Sequence, residues 1–83
     1  MKKRGENIVL PLNVLLELVN RSDKTISINE LCNSLDVNFE ELMKIIKLLS
    51  ARGLIILNIR SKHVKLTGLG LLYLRDLKNL LKP

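Results

Sequence analysis

The chain has 83 residues and a formal net charge of +6, with 47% hydrophobic and 27% charged residues. This length allows one domain, residues 1–83, and the composition is that of a globular protein and not of a disordered tail. The excess of lysine and arginine favours a polyanionic partner, either nucleic acid or an anionic membrane surface. No apolar run approaches the ~20 residues of a membrane-spanning helix, and no cleaved signal peptide is indicated. We therefore expect a cytoplasmic protein with no membrane partner.

Groups suited to catalysis or metal binding are scarce. Cys32 is the single cysteine and His63 the single histidine, so the sequence offers neither an intrachain disulfide nor a zinc site. Cys32 falls on the apolar side of a predicted helix, where we expect a core thiol and not a reactive one. No motif for phosphate, metal or nucleotide cofactors occurs. We predict that the protein is not an enzyme and has no cofactor, and no small-molecule ligand is evident.

The first part of the chain predicts an arm followed by a helix. Residues 1–7 are polar and basic and predict a loose N-terminal arm. Pro11 suits the first turn of a helix, and leucine and valine then recur at helical spacing until Asn20. Val14 and Leu18 lie off the main apolar stripe, so this helix is apolar on more than one side. That pattern indicates packing against another subunit or against the last helix.

Two helix starts follow in close succession. Ser27 with Glu30, and Asn38 with Glu41, each have the spacing of a capping box. In this arrangement the first side chain accepts a hydrogen bond from a backbone N–H group in the first turn. The connection over residues 35–38 is so short that the two helices must cross steeply, as in a helix-turn-helix.

The second of these helices, over residues 38–52, is amphipathic. Leucine and isoleucine occupy one face, and the opposite face carries Glu40, Met43, Lys44, Lys47 and Ala51. Alone, this pattern is typical of an ordinary helix with a solvated charged face. Its position after a short capped helix and before a basic hairpin favours a helix that enters the major groove of DNA.

Residues 54–66 predict a β-hairpin with a cationic tip. Gly53 supplies the left-handed residue that a helix end favours. Residues 54–59 and 64–66 are apolar or β-branched enough for two strands, and residues 60–63 supply the turn. The alternation predicts Ile55, Leu57, Ile59, Val64 and Leu66 facing inward, and Asn58, His63 and Lys65 facing water.

A last helix over residues 67–82 is predicted, with Thr67 as its cap. Its leucines are too numerous for one small domain to cover, so we predict a symmetric homodimer built from this helix, with the first helix contributing. The alternative is that the first and last helices bury each other inside one subunit. The predicted dimer contacts are Val14, Leu18, Leu71, Leu72, Leu74, Leu77 and Leu81.

The middle of the chain also carries a family resemblance. Leu49-Ser-Ala-Arg-Gly-Leu-Ile55 and Leu66-Thr-Gly-Leu-Gly70 are its most specific segments, and it covers about residues 26–72. These segments resemble winged helix-turn-helix regulators of the MarR type and their small archaeal and archaeal-virus relatives. The resemblance implies an α+β, mostly α fold in the order α-α-α-β-β-α with a short two-stranded wing. It also implies a dimer that binds double-stranded DNA.

The resemblance further implies which side chains meet DNA. The helix of residues 38–52 would lie in the major groove and the wing against the backbone or minor groove. The implied DNA contacts are Asn38, Glu40, Met43, Lys44, Lys47, Arg60, Lys62, His63 and Lys65. Lysines without bidentate arginines favour phosphate contact, so modest sequence specificity is expected. Glu40 departs from the family pattern, because a carboxylate at this position repels phosphate.

Two functions therefore remain open. The first is a dimeric, nucleoid-associated DNA-binding protein, either a transcriptional regulator or a general DNA-coating protein. The second is a winged helix used for protein contact in a transcription, replication or membrane-remodelling assembly, gripping its partner through the leucine-rich helices. The location of the positive charge separates them, because only DNA binding requires the helix lysines and the wing cations on one surface.

Overall fold

The computed structural model describes residues 5–81, which form four α-helices and one three-stranded antiparallel sheet. The helices are α1 (Gly5–Val19), α2 (Ile28–Leu35), α3 (Phe39–Ala51) and α4 (Gly68–Leu81), and the strands are β1 (Thr25–Ser27), β2 (Ile55–Asn58) and β3 (His63–Leu66). The predicted α+β, mostly helical class is confirmed, and each predicted helix and hairpin strand is present.

Strand β1 is the element that the sequence did not predict. It pairs antiparallel with β3, with Thr25 opposite Lys65 and Ser27 opposite His63, so that β3 lies between β1 and β2. The expected order α-α-α-β-β-α therefore lacks one strand, and the observed order is α-β-α-α-β-β-α. Three residues are too few to show an alternating pattern, and the strand depends on hydrogen bonds to a distant part of the chain.

Helix α1 starts earlier than predicted. It begins at Gly5, so residues 5–7 belong to the helix, whereas the rest of the predicted arm, residues 1–4, lies outside the described residues. Pro11 lies inside α1 and not in its first turn, which corrects the predicted start. Proline cannot donate a hydrogen bond to the carbonyl four residues earlier. The helix nevertheless continues through it, and Leu10 and Val14 on either side are buried in the core.

The hydrophobic core surrounds α1. This helix contacts α2, α3, α4 and β3, and the side chains of Val14 and Leu18 are fully buried among them. Leu74 of α4 is also buried in the same cluster. These three residues were predicted as dimer contacts, and that prediction is wrong because they are covered within one chain. Helix α1 is apolar on more than one side because other elements of the same domain pack around it.

The β2–β3 hairpin has the predicted inward face up to its tip. Ile55 pairs with Leu66, and both are buried, as is Val64. Ile59 was predicted to face inward, but its side chain is 78% exposed. The reason is that β2 ends at Asn58, so Ile59 belongs to the turn and the strand alternation no longer applies.

Thr67 and Gly70 join the start of α4 to the loop after α3. The Thr67 hydroxyl accepts a hydrogen bond from the Gly70 N–H (3.0 Å), which confirms the predicted cap. The same hydroxyl lies 2.7 Å from the carbonyl oxygen of Gly53, to which it donates. Gly53 has φ +78°, the predicted left-handed conformation. The backbone N–H of Thr67 donates to the carbonyl of Leu54 (3.1 Å), and the Thr67 hydroxyl also lies 3.0 Å from that carbonyl oxygen, so Thr67 holds this corner closed.

Cys32 is half-buried on α2 and packs against the core, as the sequence predicted. Burial raises the pKa of its thiol above the ordinary value, so the reactive thiolate forms only at higher pH. We expect iodoacetamide to modify Cys32 more slowly in the folded protein than in urea, with the folded rate rising as the pH increases toward the raised pKa. Mass spectrometry of timed samples measures both rates, and equal rates in the two states at pH 8 would contradict this prediction.

Candidate nucleic-acid interface

Helices α2 and α3 are joined by a short turn, and each begins at its predicted cap. The Ser27 hydroxyl accepts from the backbone N–H of Glu30 (3.1 Å), and Asn38 Oδ1 accepts from that of Glu41 (2.7 Å). Asp36 ends α2 in the left-handed conformation, with φ 56°. These local bonds satisfy N–H groups that a helix start leaves without intrahelical partners, and they position the first residues of α3.

An ion-pair network holds α2 against the end of α1. Arg21 lies 3.1 Å from the Glu30 carboxylate and 3.7 Å from that of Glu17. Glu17 also accepts a hydrogen bond from the Ser34 hydroxyl (2.9 Å). Exposed ion pairs contribute at most about 1 kcal/mol each. Their effect here is to connect both ends of α2 to α1, which supports the orientation of the α2–α3 pair.

The outward face of α3 is narrower than the sequence predicted. Lys44 and Lys47 are exposed, as is Glu40, one turn before Lys44. Met43 was predicted on this face, but it is partly buried and packs against the core. At 100° per residue Met43 falls at the edge of the face formed by Leu42 and its buried neighbours, so its flexible side chain can pack inward. Met43 is therefore not part of the exposed charged face of α3.

The hairpin tip, residues 59–62, is held by its own hydrogen bonds. The Asn58 carbonyl accepts from the Lys62 N–H (2.8 Å), and the Asn58 side chain accepts from the Ser61 N–H (3.1 Å). His63 is half-buried, and its Nδ1 donates to the Ser61 carbonyl (2.8 Å), so this ring supports the turn instead of facing water as predicted. The Lys62 carbonyl accepts from the N–H of Ile28 (2.9 Å), which joins the tip to the first residue of α2.

The charge of the hairpin is entirely positive. Arg60 and Lys62 are exposed at the tip, and Lys65 is exposed on the outer face of the sheet, opposite Ile56. Residues 55–66 contain no aspartate or glutamate. Helix α3 differs, because it carries Glu40 and Glu41 in its first turn before its two lysines. The hairpin is thus the more uniformly cationic part of the candidate surface.

A separate apolar groove lies between α1 and α4, away from the charged residues of α3 and the hairpin. Its volume is about 470 Å³, and its lining residues are Leu16, Val19, Gly68, Leu71, Leu72, Leu74, Arg75 and Lys78. Leu71 and Leu72 are exposed, as the predicted dimer contacts require, and Leu77 is partly exposed. The predicted contact at Leu81 concerns a side chain outside the described ones.

Several apolar residues of the last helix that were not among the predicted dimer contacts are exposed. Leu69, Tyr73 and Leu80 form an exposed stripe along α4, and Leu16 extends the apolar surface onto α1. Helical spacing places Leu69, Tyr73 and Leu80 on one face, so the sequence contained the signal for this stripe. It could not show which of the two apolar sides of α4 is buried.

Comparison of the chain with protein-family models, with curated proteins and with solved structures gives no match in any of the three. Among residues 5–81, no helix combines the length and apolarity needed to cross a lipid bilayer. In the same part of the chain, histidine, cysteine and acidic side chains form no cluster of three or more suited to a metal ion. The exposed cations described above lie on the capped helix α3 and on the hydrogen-bonded hairpin.

Proposed function

We propose that this chain is a winged helix-turn-helix protein that binds double-stranded DNA as a homodimer, in the cytoplasm and on the nucleoid. The order α-β-α-α-β-β-α is compatible with that fold. The observation that carries the proposal is that exposed cations occur both on an acid-free hairpin tip and on α3, as Lys44 and Lys47, with α3 packed on α2 after a short turn. Transcriptional regulation or general coating of DNA is the role that we assign to such a protein.

In the proposed complex α3 lies in the major groove and the hairpin contacts the adjacent backbone or minor groove. Lys44 and Lys47 contact phosphates, because a lysine ammonium is a point charge without the bidentate geometry that reads guanine. Asn38 uses its side-chain oxygen to cap α3, so its contribution to base reading is limited. Modest sequence specificity follows from this set of residues.

The proposed dimer uses the exposed apolar stripe of α4 and the neighbouring leucines. Leu69, Leu72, Tyr73 and Leu80 are all exposed in the single chain around Asp76, and large apolar side chains exposed together on one helix face mark association. A two-fold axis doubles the number of helix lysines and hairpin cations. The two copies of α3 would then meet successive major grooves about 34 Å apart.

The salt dependence of duplex binding tests the proposal. A fluorescently labelled duplex is titrated with the protein at a series of salt concentrations, and log affinity is plotted against log salt. Engagement of roughly eight phosphates by the dimer predicts a slope near −7. Absence of duplex binding, or an affinity that does not change with salt, would overturn the proposed function.

The dimer is tested by Leu72→Asp. A buried carboxylate at an apolar interface is strongly unfavourable, so we expect this variant to be monomeric and to bind duplex more weakly than the unchanged protein. Sedimentation equilibrium measures the mass, and circular dichroism checks that the fold is retained. Asn33→Asp adds the same charge at an exposed polar position of α2, outside the proposed interface, and serves as the control. A Leu72→Asp protein that remains dimeric would place the interface elsewhere.

Glu40 is expected to weaken DNA binding, because it is exposed on the same face as the α3 lysines. Replacement by glutamine removes repulsion from phosphate, and we expect about fivefold tighter duplex binding at low salt. Asp23→Asn removes the same charge from the turn after α1, keeps a side-chain oxygen that can accept from the Thr25 N–H, and should leave the affinity nearly unchanged. Fluorescence anisotropy compares the two variants, and equal affinities would show that Glu40 does not face the duplex.

The groove between α1 and α4 favours a second candidate function, capture of a protein partner. Leu71 and Leu72 would contact an apolar helix, and Arg75 and Lys78 would meet acidic residues at its edge. In that case the α3 lysines are dispensable. Loss of partner capture in Leu72→Asp, with duplex binding absent in every variant, would favour this function over DNA binding.

A further inference from the structure

We propose that Ile59 is an apolar wedge that inserts between base pairs from the minor groove and bends the duplex. This inference rests on the proposed DNA binding and adds a DNA-deforming residue to it. Ile59 is the first residue of the hairpin tip, and its side chain is 78% exposed. It therefore contributes little to the core, whereas an apolar side chain at the end of a narrow hairpin has the shape that minor-groove wedges require.

Hydrogen bonds within the turn and to α2 hold the hairpin tip. Asn58 accepts one bond from Lys62 through its carbonyl and another from Ser61 through its side chain, so the turn that begins at Ile59 is closed at both ends. The bond from Ile28 to the Lys62 carbonyl anchors the turn to α2. A wedge held this way loses little conformational freedom on insertion, which reduces the free-energy cost of binding.

The charge around Ile59 favours a polyanionic partner for this side chain, and the proposed function makes that partner a nucleic acid. Arg60 follows it directly and Lys62 closes the same turn, and both are exposed. The absence of acidic residues from 55–66 leaves nothing on the hairpin to repel the phosphates that border the minor groove. The two cations would contact the phosphates on either side while Ile59 enters between the bases.

Insertion gives Ile59 a role in site selection. Separating two stacked base pairs costs least at pyrimidine–purine steps such as TA and CA, so a wedge prefers sites that contain one. This preference needs no hydrogen bond to a base edge. It would supply sequence discrimination to a protein whose α3 presents lysines and one glutamate to the groove.

The test measures bending with a duplex of about 30 base pairs that carries a donor and an acceptor dye at its ends. One duplex has a central TA step, and a matched duplex has a stiff run of A·T pairs. We expect the unchanged protein to shorten the end-to-end distance of the TA duplex, consistent with a bend within the range of about 20–90° typical of inserted wedges. It should also bind the TA duplex more tightly.

Three variants separate insertion from general loss of contact. Ile59→Ser should abolish most of the bend and the TA preference while lowering affinity only about fivefold, because the phosphate contacts remain. Ile59→Met keeps an apolar wedge and should retain both properties. Ile56→Ser removes the other exposed isoleucine of the hairpin, 58% exposed on β2 and away from the tip, and should bend DNA normally.

The outcomes distinguish the two proposals. Salt-dependent duplex binding with an unchanged bend in Ile59→Ser would overturn the wedge and leave the proposed function standing. Loss of the bend in Ile56→Ser as well as Ile59→Ser would also overturn it, because the effect would then not belong to the tip. Absence of duplex binding by the unchanged protein would overturn both proposals together.

Discussion

Replacing Gly70 by alanine is expected to lower the free energy of unfolding by about 3 kcal/mol. A methyl group at Gly70 would lie 2.6 Å from Leu66 Cδ1 and closer still to the backbone oxygen of Leu54. The Leu54 carbonyl also accepts the Thr67 N–H, so moving it away would strain a second contact. A loss of this size is a large share of the stability of a small domain, which is about 5–15 kcal/mol.

Gly68→Ala is the matched control, because it makes the same change two residues earlier in α4. An added methyl group at Gly68 meets no atom within 4 Å. Alanine is also the better helix former, so we expect this variant to be about 0.5–1 kcal/mol more stable than the unchanged protein. Urea denaturation followed by circular dichroism measures all three proteins. Similar urea midpoints for Gly68→Ala and Gly70→Ala would contradict the close contact between Gly70 and the backbone of Leu54.

Reversing both exposed lysines of α3 is expected to lower duplex affinity at least about 100-fold at low salt. The Lys44→Glu, Lys47→Glu double variant loses two phosphate contacts in each subunit and places two carboxylates near phosphates in their stead. Because a two-fold axis doubles every change, four contacts are lost per dimer. The slope of log affinity against log salt should become less negative by about 4.

The control for this variant has the same net charge on another surface. Each lysine or arginine changed to glutamate removes two charge units, so both double variants lower the formal net charge from +6 to +2. Arg75→Glu with Lys78→Glu makes that change on α4, in the groove that also contains Leu72, so sedimentation equilibrium must first show that this control is still a dimer. If duplex binding depends on α3, this control should bind far more tightly than the α3 variant. Equal losses would mean that overall charge, and not the α3 surface, attracts the duplex.

The features predicted correctly from the sequence are those that a few neighbouring residues determine. Ser27, Asn38 and Thr67 each cap a helix through a backbone N–H three residues later, and Gly53 adopts a left-handed conformation because it has no side chain to oppose it. Such signals do not depend on the rest of the fold. These signals predicted where α2, α3 and α4 begin, and the start of α3 in turn fixes the positions of Lys44 and Lys47 on that helix.

The features predicted wrongly depend on distant contacts. Strand β1 exists because β3 is available to pair with it, and Val14 and Leu18 are buried because α2, α3, α4 and β3 meet around α1. Periodicity shows which face of a helix is apolar, but it does not show whether the same chain or a second chain covers that face. Ile59 adds a boundary effect, since one residue beyond the end of β2 reverses the expected exposure.

The central position of α1 also governs the order in which the domain is built. As the chain emerges from the ribosome this helix precedes β3 and α4, which cover part of it. Until they arrive, apolar side chains of α1 such as Leu15 and Leu18 lack some of their native partners. The nascent chain therefore carries an incompletely covered apolar helix until β3 and α4 have left the ribosome, and this is the stage at which we expect chaperone binding or aggregation.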